Sequence, residues 1–304
     1  MKIGDGNNLV VLRYLFILNP MAGVGGRRDF LPLIEKACRE KKVKFKILFT
    51  RSPGDARKII LKKFDKYDIF VAVGGDGTMN EVASALAGTT GIMGLIPAGS
   101  GNALGRELGL SLKPGRAIYQ LLEGHPVKID TGLVNGRRFM NVCGVGFDSH
   151  IARCFAKTTS RGPIPYFKAV IKEFFRYRPE IYTVEADGNI TIHTAFVLTL
   201  ANTSQYGNNA FIAPKASVTD GLLDFSALKP FGFFGGLSLG FRLFNKSIDR
   251  SGLSTYFKTK EVVINGKSLN FHVDGEPVKN SDPLHISIDP LSLNIVVPGK
   301  AISN

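Results

Sequence analysis

Acidic residues and cysteines are scarce in this chain, and long apolar runs are missing. Against 39 lysines and arginines stand 25 aspartates and glutamates, a formal charge of +14. That balance favours anionic partners such as nucleotides, nucleic acid or an acidic membrane surface, although a generally basic solvated surface gives the same sum. Cys38, Cys143 and Cys154 have no metal-ligand spacing, and their odd number argues against a disulfide framework. They read as buried or free thiols in a reducing compartment. No apolar run is long enough for a helical membrane span. The apolar stretch Leu9 to Leu18 is broken by Arg13 and runs into Asn19-Pro20, so it reads as a first strand and not as a signal h-region. The cytoplasm is the expected compartment. The histidines (His125, His150, His193, His272, His285) show no HExxH or His/Cys ligand pattern and read as packed or surface residues; His272 neighbours a carboxylate pair.

What is present is a chain of 304 residues, 44% apolar, enough for two domains. The first eight residues are polar and read as loose. From Arg13 strands and helices alternate as in a parallel α/β domain, predicted over 9–130. After Thr131 short Val-, Ile-, Thr- and Phe-rich runs are separated by the hairpin dipeptides Asn135-Gly136, Asp187-Gly188, Asn265-Gly266 and Asp274-Gly275. An all-β or mostly-β domain is expected over 131–290, with helical insertions near Pro165 to Tyr177 and Phe231 to Asn245. The last strand, within 291–304, is left open to return to the first domain.

The motif with the most chemistry is Gly74-Gly75-Asp76-Gly77-Thr78, set between a buried-strand pattern and a helical one. Glycines let backbone approach an anion, and a helix start offers unpaired N–H groups at the positive end of its dipole. An aspartate in such a loop makes sense if Mg²⁺ travels with the phosphate. Open α/β sheets bind ligands at the carboxyl ends of their strands, so a cleft facing the β domain is the expected site.

These residues, with Asn80-Glu81-Val82 after them, resemble the nucleotide loop of the diacylglycerol kinase and sphingosine kinase superfamily. Asn19-Pro20-Met21-Ala22-Gly23, Pro97-Ala98-Gly99-Ser100-Gly101-Asn102, Gly144-Val145-Gly146-Phe147-Asp148, the segment Ala213 to Asp224 and Asp274-Gly275-Glu276-Pro277 resemble its other signatures, in the family's order. The resemblance implies a kinase-fold α/β domain followed by a β-sandwich, acting as an ATP-dependent lipid kinase. It implies that Asn19, Pro20, Gly23, Thr50, Gly74, Gly75, Asp76, Gly77, Thr78, Met79, Asn80 and Ser100 surround ATP. Asp76 would manage Mg²⁺ on the phosphates through water. A second, structural Mg²⁺ would lie on Asp220 with the carbonyls of Ser217 and Leu222. Glu276 is the expected base for the lipid hydroxyl, with Asp274 orienting it or sharing the role.

The acceptor lipid, diacylglycerol or a sphingoid long-chain base, is left open. So are an NAD kinase-like activity and a non-catalytic nucleotide or lipid binder. The expected partner is a lipid substrate at the membrane surface, reached from the inner face; nucleic acid is not expected, and a homodimer is left open. Two segments are candidates for membrane contact: the basic amphipathic stretch Pro165 to Arg178 and the aromatic run Phe231 to Leu237. Gly266-Lys267-Ser268 imitates the end of a Walker A loop, but Glu261 stands where that loop needs glycine, and Asn265-Gly266 reads as a turn.

Overall fold

The computed structural model describes residues 12–20, 27–156, 170 and 172–299. Gly23 with Met21 and Ala22, the first eight residues, residues 165–169 and 171 of the 165–178 stretch and residues 300–304 lie outside the described residues. The chain folds as two units. One takes the residues up to Ile129 and those from Leu291 onward, and the other takes Asp130–Pro290.

In the first unit, β1 (Arg13–Leu18), β2 (Lys44–Phe49), β3 (Ile69–Gly74) and β4 (Ile92–Pro97) pair in parallel in the order β2-β1-β3-β4. All six residues of β3 are buried, as expected of a strand covered on both faces. The surrounding helices are α1 (Arg27–Glu40), α2 (Asp55–Lys63), α3 (Asp76–Leu86), α4 (Ala103–Glu107) and α5 (Pro114–Glu123). Pro114 opens α5 at a position that needs no N–H, and Ala117, Ile118, Leu121 and Leu122 form its buried stripe. They meet Phe16, Leu18, Val71, Val73 and Ile96 in the core. The chain turns in opposite directions from β1, towards β2 and towards β3. That switch point, at the carboxyl ends of β1 and β3, is where such sheets leave a crevice.

The second unit is a β-sandwich. One antiparallel sheet runs β12 (Ser254–Thr259), β11 (Leu223–Leu228), β10 (Val197–Ala201), β7 (Val142–Gly146), β14 (Phe271–Val273) and β15 (Glu276–Val278). Facing it are β9 (Asn189–Ala195), β8 (Glu180–Ala186), β13 (Glu261–Gly266) and the first half of β16 (Leu284–Val297). Residues 132–134 of β5 (His125–Val134) pair with β6 (Arg137–Phe139) beside them. Phe225, Phe271, Tyr182, Val184 and Ile264 fill the space between the layers. Helices α6 (Phe147–Ala156) and α7 (Phe233–Phe244) belong to this unit.

The final strand begins well before residue 291. β16 pairs with β13 through Leu284–Ser287 and with β4 through Asn294 and Ile295. Pro290, which has no N–H to donate, and Leu291, at φ 47°, stand where it changes partner. Asn135-Gly136, Asp187-Gly188 and Asp274-Gly275 have positive φ at both positions and close two-residue hairpins. Asn265-Gly266 corrects its expectation. It lies inside β13, opposite Thr183 and Tyr182, and a Cβ on Gly266 would sit 2.9 Å from the Tyr182 ring. Close packing, not turn geometry, selects that glycine.

All three cysteines are free. Burial pushes the Cys38 thiol up to about 12 and the Cys143 thiol well above its ordinary value, whereas Cys154 is half-buried. Alkylation of the native protein should therefore label Cys154 first, with Cys38 and Cys143 reacting only on unfolding. Peptide mass spectrometry after a short iodoacetamide pulse checks this, and early labelling of Cys143 would contradict the packing described.

Candidate active site

The two glycine loops of the first unit touch through bare backbone. A Cβ on Gly99 would lie 2.5 Å from the Cα of Gly75, and one on Gly75 would lie 3.1 Å from the Cα of Gly99. Ala98 donates its N–H to the Gly74 carbonyl at 2.8 Å, which continues the β3–β4 pairing into the loops. Asn102, at φ 53°, closes the second loop on itself: Gly99 N–H donates to its Oδ1 at 2.8 Å, and its Nδ2 donates to the Gly99 carbonyl at 2.7 Å. Asparagine tolerates that left-handed backbone and supplies both hydrogen bonds.

Asp76 joins the loops a second time. Its carboxylate accepts the N–H of Asn102 and of Ala103, each at 3.2 Å, so it holds the start of α4. Helix α3 itself begins at Gly75 with no side-chain cap. Asn19 at the end of β1 donates through Nδ2 to Thr78 Oγ1 at 3.2 Å, and Thr50 at the end of β2 donates its N–H to the Leu18 carbonyl at 3.0 Å. Asn19, Pro20, Thr50, Gly74, Gly75 and Ser100 thus stand at the carboxyl ends of neighbouring strands or in the loops that follow them, and Asp76, Gly77 and Thr78 form the first turn of α3. Met79 is different. It is buried and lines a small void beneath the loops with Leu95, Pro97, Leu104 and Gly105. Asn80 accepts a hydrogen bond from Ser84 within the helix at 3.2 Å, and Glu81 accepts the N–H of Gly54 at 2.8 Å and of Ala56 at 3.2 Å, capping α2. A phosphate fits the uncapped α3 start and the bare glycines. Mg²⁺ fits beside it through water, because a carboxylate oxygen carries more than one lone pair.

In the sandwich, the Asp274-Gly275 turn carries Glu276. Asp274 accepts three backbone N–H groups, from Met140 at 2.9 Å, Asn141 at 2.8 Å and Val142 at 3.1 Å. Beneath the turn His272 is buried; its Nδ1 accepts the Gly275 N–H at 3.3 Å. That places the ring proton on Nε2, 3.1 Å from Asp148 Oδ2. The same oxygen accepts hydrogen bonds from Thr199 Oγ1 and Tyr206 OH, both at 3.2 Å. Gly144 makes room for this network, since a Cβ there would be 2.3 Å from Asp148 Oδ2. Glu276 is exposed.

The residues read as a structural magnesium site are arranged differently. Asp220 Oδ2 accepts a short hydrogen bond from the Lys258 ammonium, which also donates to the Lys215 carbonyl at 3.0 Å and stands 3.4 Å from Asp224. Asp220 Oδ1 accepts the Leu222 N–H at 3.1 Å, and the Ser217 hydroxyl meets that of Thr219 at 3.3 Å. Burial works against the Lys258 charge, but the Asp220 hydrogen bond and the Asp224 charge hold the ammonium above its ordinary range. A divalent cation would have to displace it or sit against a like charge. The donor set therefore does not fit a second Mg²⁺ as it stands. Sequence reading missed Lys258 because it comes from β12, far along the chain.

One histidine stands among residues of metal-ligating type. His150 Nε2, Glu173 and Cys154 converge, with ligand atoms within 4.8 Å of one another. The 2.9 Å His150–Glu173 hydrogen bond and Arg176, 3.7 Å from the same carboxylate, already satisfy it.

Two interlocked glycine loops on a parallel sheet, and a sandwich whose hairpin carries paired carboxylates, define a kinase-type fold. Residues 13–134 match the diacylglycerol kinase catalytic domain, and residues 141–297 match the YegS C-terminal NAD kinase beta sandwich-like domain. The chain belongs to the family of diacylglycerol kinases and YegS-like lipid kinases. A Mycobacterium tuberculosis protein named diacylglycerol kinase is 31% identical over 257 residues, covering 80% of this chain and 82% of its own. A Pseudomonas aeruginosa protein named probable lipid kinase YegS-like is 30% identical over 274 residues, covering 86% and 87%. The crystal structure of a diacylglycerol kinase from Bacillus anthracis is alike in fold, with TM-score 0.76 and 22% identity, covering 95% of this chain and 98% of that one.

Two outcomes follow from the geometry. Gly99→Ala should cost about 1–3 kcal/mol in urea unfolding, because the loops must part. Gly115→Ala, where a Cβ meets nothing within 4 Å, should be neutral or mildly stabilising. Equal effects would refute the loop contact. Lys258→Met should destabilise by about 1–3 kcal/mol, leaving Asp224 buried without its cation, while EDTA or added Mg²⁺ leaves the wild-type Tm unchanged. A Tm that falls with EDTA would restore the metal.

Proposed function

We propose that this chain is an ATP-dependent lipid kinase, transferring the γ-phosphoryl group to a hydroxyl of diacylglycerol or a sphingoid long-chain base. The observation that carries the reading is the Gly75–Gly99 contact, which leaves backbone N–H groups and no side chain where a phosphate would lie. The family membership supports it. Mg²⁺ bound with the nucleotide would neutralise charge on the phosphates during transfer. The residues of the chain do the rest. The α3 start holds the phosphates, Asn19 and Thr78 fix its first turn, and Asp76 positions the second loop and would hold Mg²⁺ through water. Glu276 accepts the proton of the lipid hydroxyl. Asp274 acts as its positioning residue, because its oxygens already take three N–H groups, and His272 holds the turn from beneath.

The match of the second unit to a sandwich described as NAD kinase-like keeps a second reading alive, in which NAD is the acceptor. Radiolabelled ATP offered with diacylglycerol or long-chain base in mixed micelles, and separately with NAD, decides between them. Phosphorylated lipid and no NADP is the expected result. Glu276→Gln should lower kcat by about 100-fold or more, as loss of a general base does. Asp76→Ala should abolish turnover. Full lipid phosphorylation by both variants would sink the assignment, and NADP as the sole product would replace it.

A further inference from the structure

Helix α7 has two apolar faces. Its inner one is packed: Leu239 is buried, Leu243 joins the same cluster, and a Cβ on Gly236 would touch the Phe231 and Phe174 rings at 3.3 and 3.5 Å. Its outer face carries Phe233, Phe234, Leu237, Phe241 and Phe244, between 57% and 82% exposed. At 3.6 residues per turn these five fall within an arc of about 100°. A surface helix that is apolar all round normally has its outer face covered.

The charges around it indicate what covers it. Between Lys229 and Arg250 lie four basic residues, Lys229, Arg242, Lys246 and Arg250, and one carboxylate, Asp249. That carboxylate is 3% exposed and paired with Lys215 at 2.9 Å. Lys229, Lys246 and Arg250 are exposed. An apolar face whose own segment, 229–250, exposes Lys229, Lys246 and Arg250 and buries its one carboxylate complements an anionic bilayer, where phenyl groups enter the acyl boundary and ammonium groups meet headgroup phosphates. A second copy is a poor fit, because a two-fold contact would set like charges against like.

We propose that the outer face of α7 is a membrane-docking surface selective for anionic lipid bilayers. Choosing a bilayer over a protein partner rests in addition on the lipid-kinase reading. The test therefore reads binding apart from turnover. The full chain is sedimented with vesicles of phosphatidylcholine alone and of phosphatidylcholine with phosphatidylglycerol. Wild type should bind the anionic vesicles at least tenfold more tightly, and high salt should release it. Phe234→Ser with Phe241→Ser should reduce that binding at least tenfold, while phosphorylation of a water-soluble short-chain diacylglycerol stays at the wild-type rate. Because the chain has no tryptophan, Phe241→Trp gives a direct reporter: its emission should shift to the blue with anionic vesicles, and that of Ile190→Trp, an exposed site on β9, should not.

Equal binding to both vesicle types, wild-type binding by the double variant, or an unmoved emission spectrum of the Phe241→Trp variant would overturn the proposal. So would a dimer that the double variant dissolves without changing vesicle binding. Vesicle binding without phosphorylation of any lipid would leave docking standing and remove the kinase reading; phosphorylation without binding would do the reverse.

Discussion

The first unit depends on a contact that only glycine permits. Two backbones meet at Gly75 and Gly99, closer than any Cβ allows. The Asp76 carboxylate then ties the start of α4 to the start of α3. Unpaired N–H groups at helix starts are costly unless something receives them. Here an aspartate receives those of α4 and a glutamate, Glu81, those of α2, while no side chain caps α3. Of these three helices α3 is the one that begins at the switch point, so its bare start lies where the sheet topology leaves a crevice.

The sandwich uses carboxylates in the same way. Asp274 collects three N–H groups from the Met140–Val142 segment, and Asp148 gathers His272, Thr199 and Tyr206 on one oxygen. Both fix the short β14–β15 hairpin that presents Glu276. A two-residue turn between strands of three residues would be a loose platform by itself. Held from the side by Asp274 and from beneath by His272, it has the support that a side chain needs for proton transfer.

Much of this was legible in the sequence. Periodicity and turn dipeptides gave the parallel α/β half, the sandwich half and three of the hairpins, because those signals are local. The glycine loops were legible because backbone chemistry leaves its mark as glycine. The partners of Asp76, Asp220 and Asp148 were not, since they arrive from residues 26 to 124 positions away. Asn265-Gly266 shows the same limit from the other side. The dipeptide has turn propensity, yet pairing with β8 and the Tyr182 ring beside Gly266 outweigh it. The burial of Met79 was likewise hidden, because its place in a signature says nothing about which way its side chain faces.

Four acidic side chains drew attention as candidate catalytic or metal-binding groups, and the structure separates them by what their oxygens hold and by exposure. Asp76 and Asp274 receive backbone N–H groups, and Asp220 receives an ammonium. Glu276, on the hairpin those contacts support, is the exposed one. A carboxylate that accepts several N–H bonds is stabilised as the anion and is a weaker base for it. The group best suited to take a proton is therefore the one that the fold positions through its backbone and keeps at the surface. By that reasoning the aspartates hold a loop, a hairpin and an ammonium in place within their own units, and Glu276 keeps its carboxylate exposed.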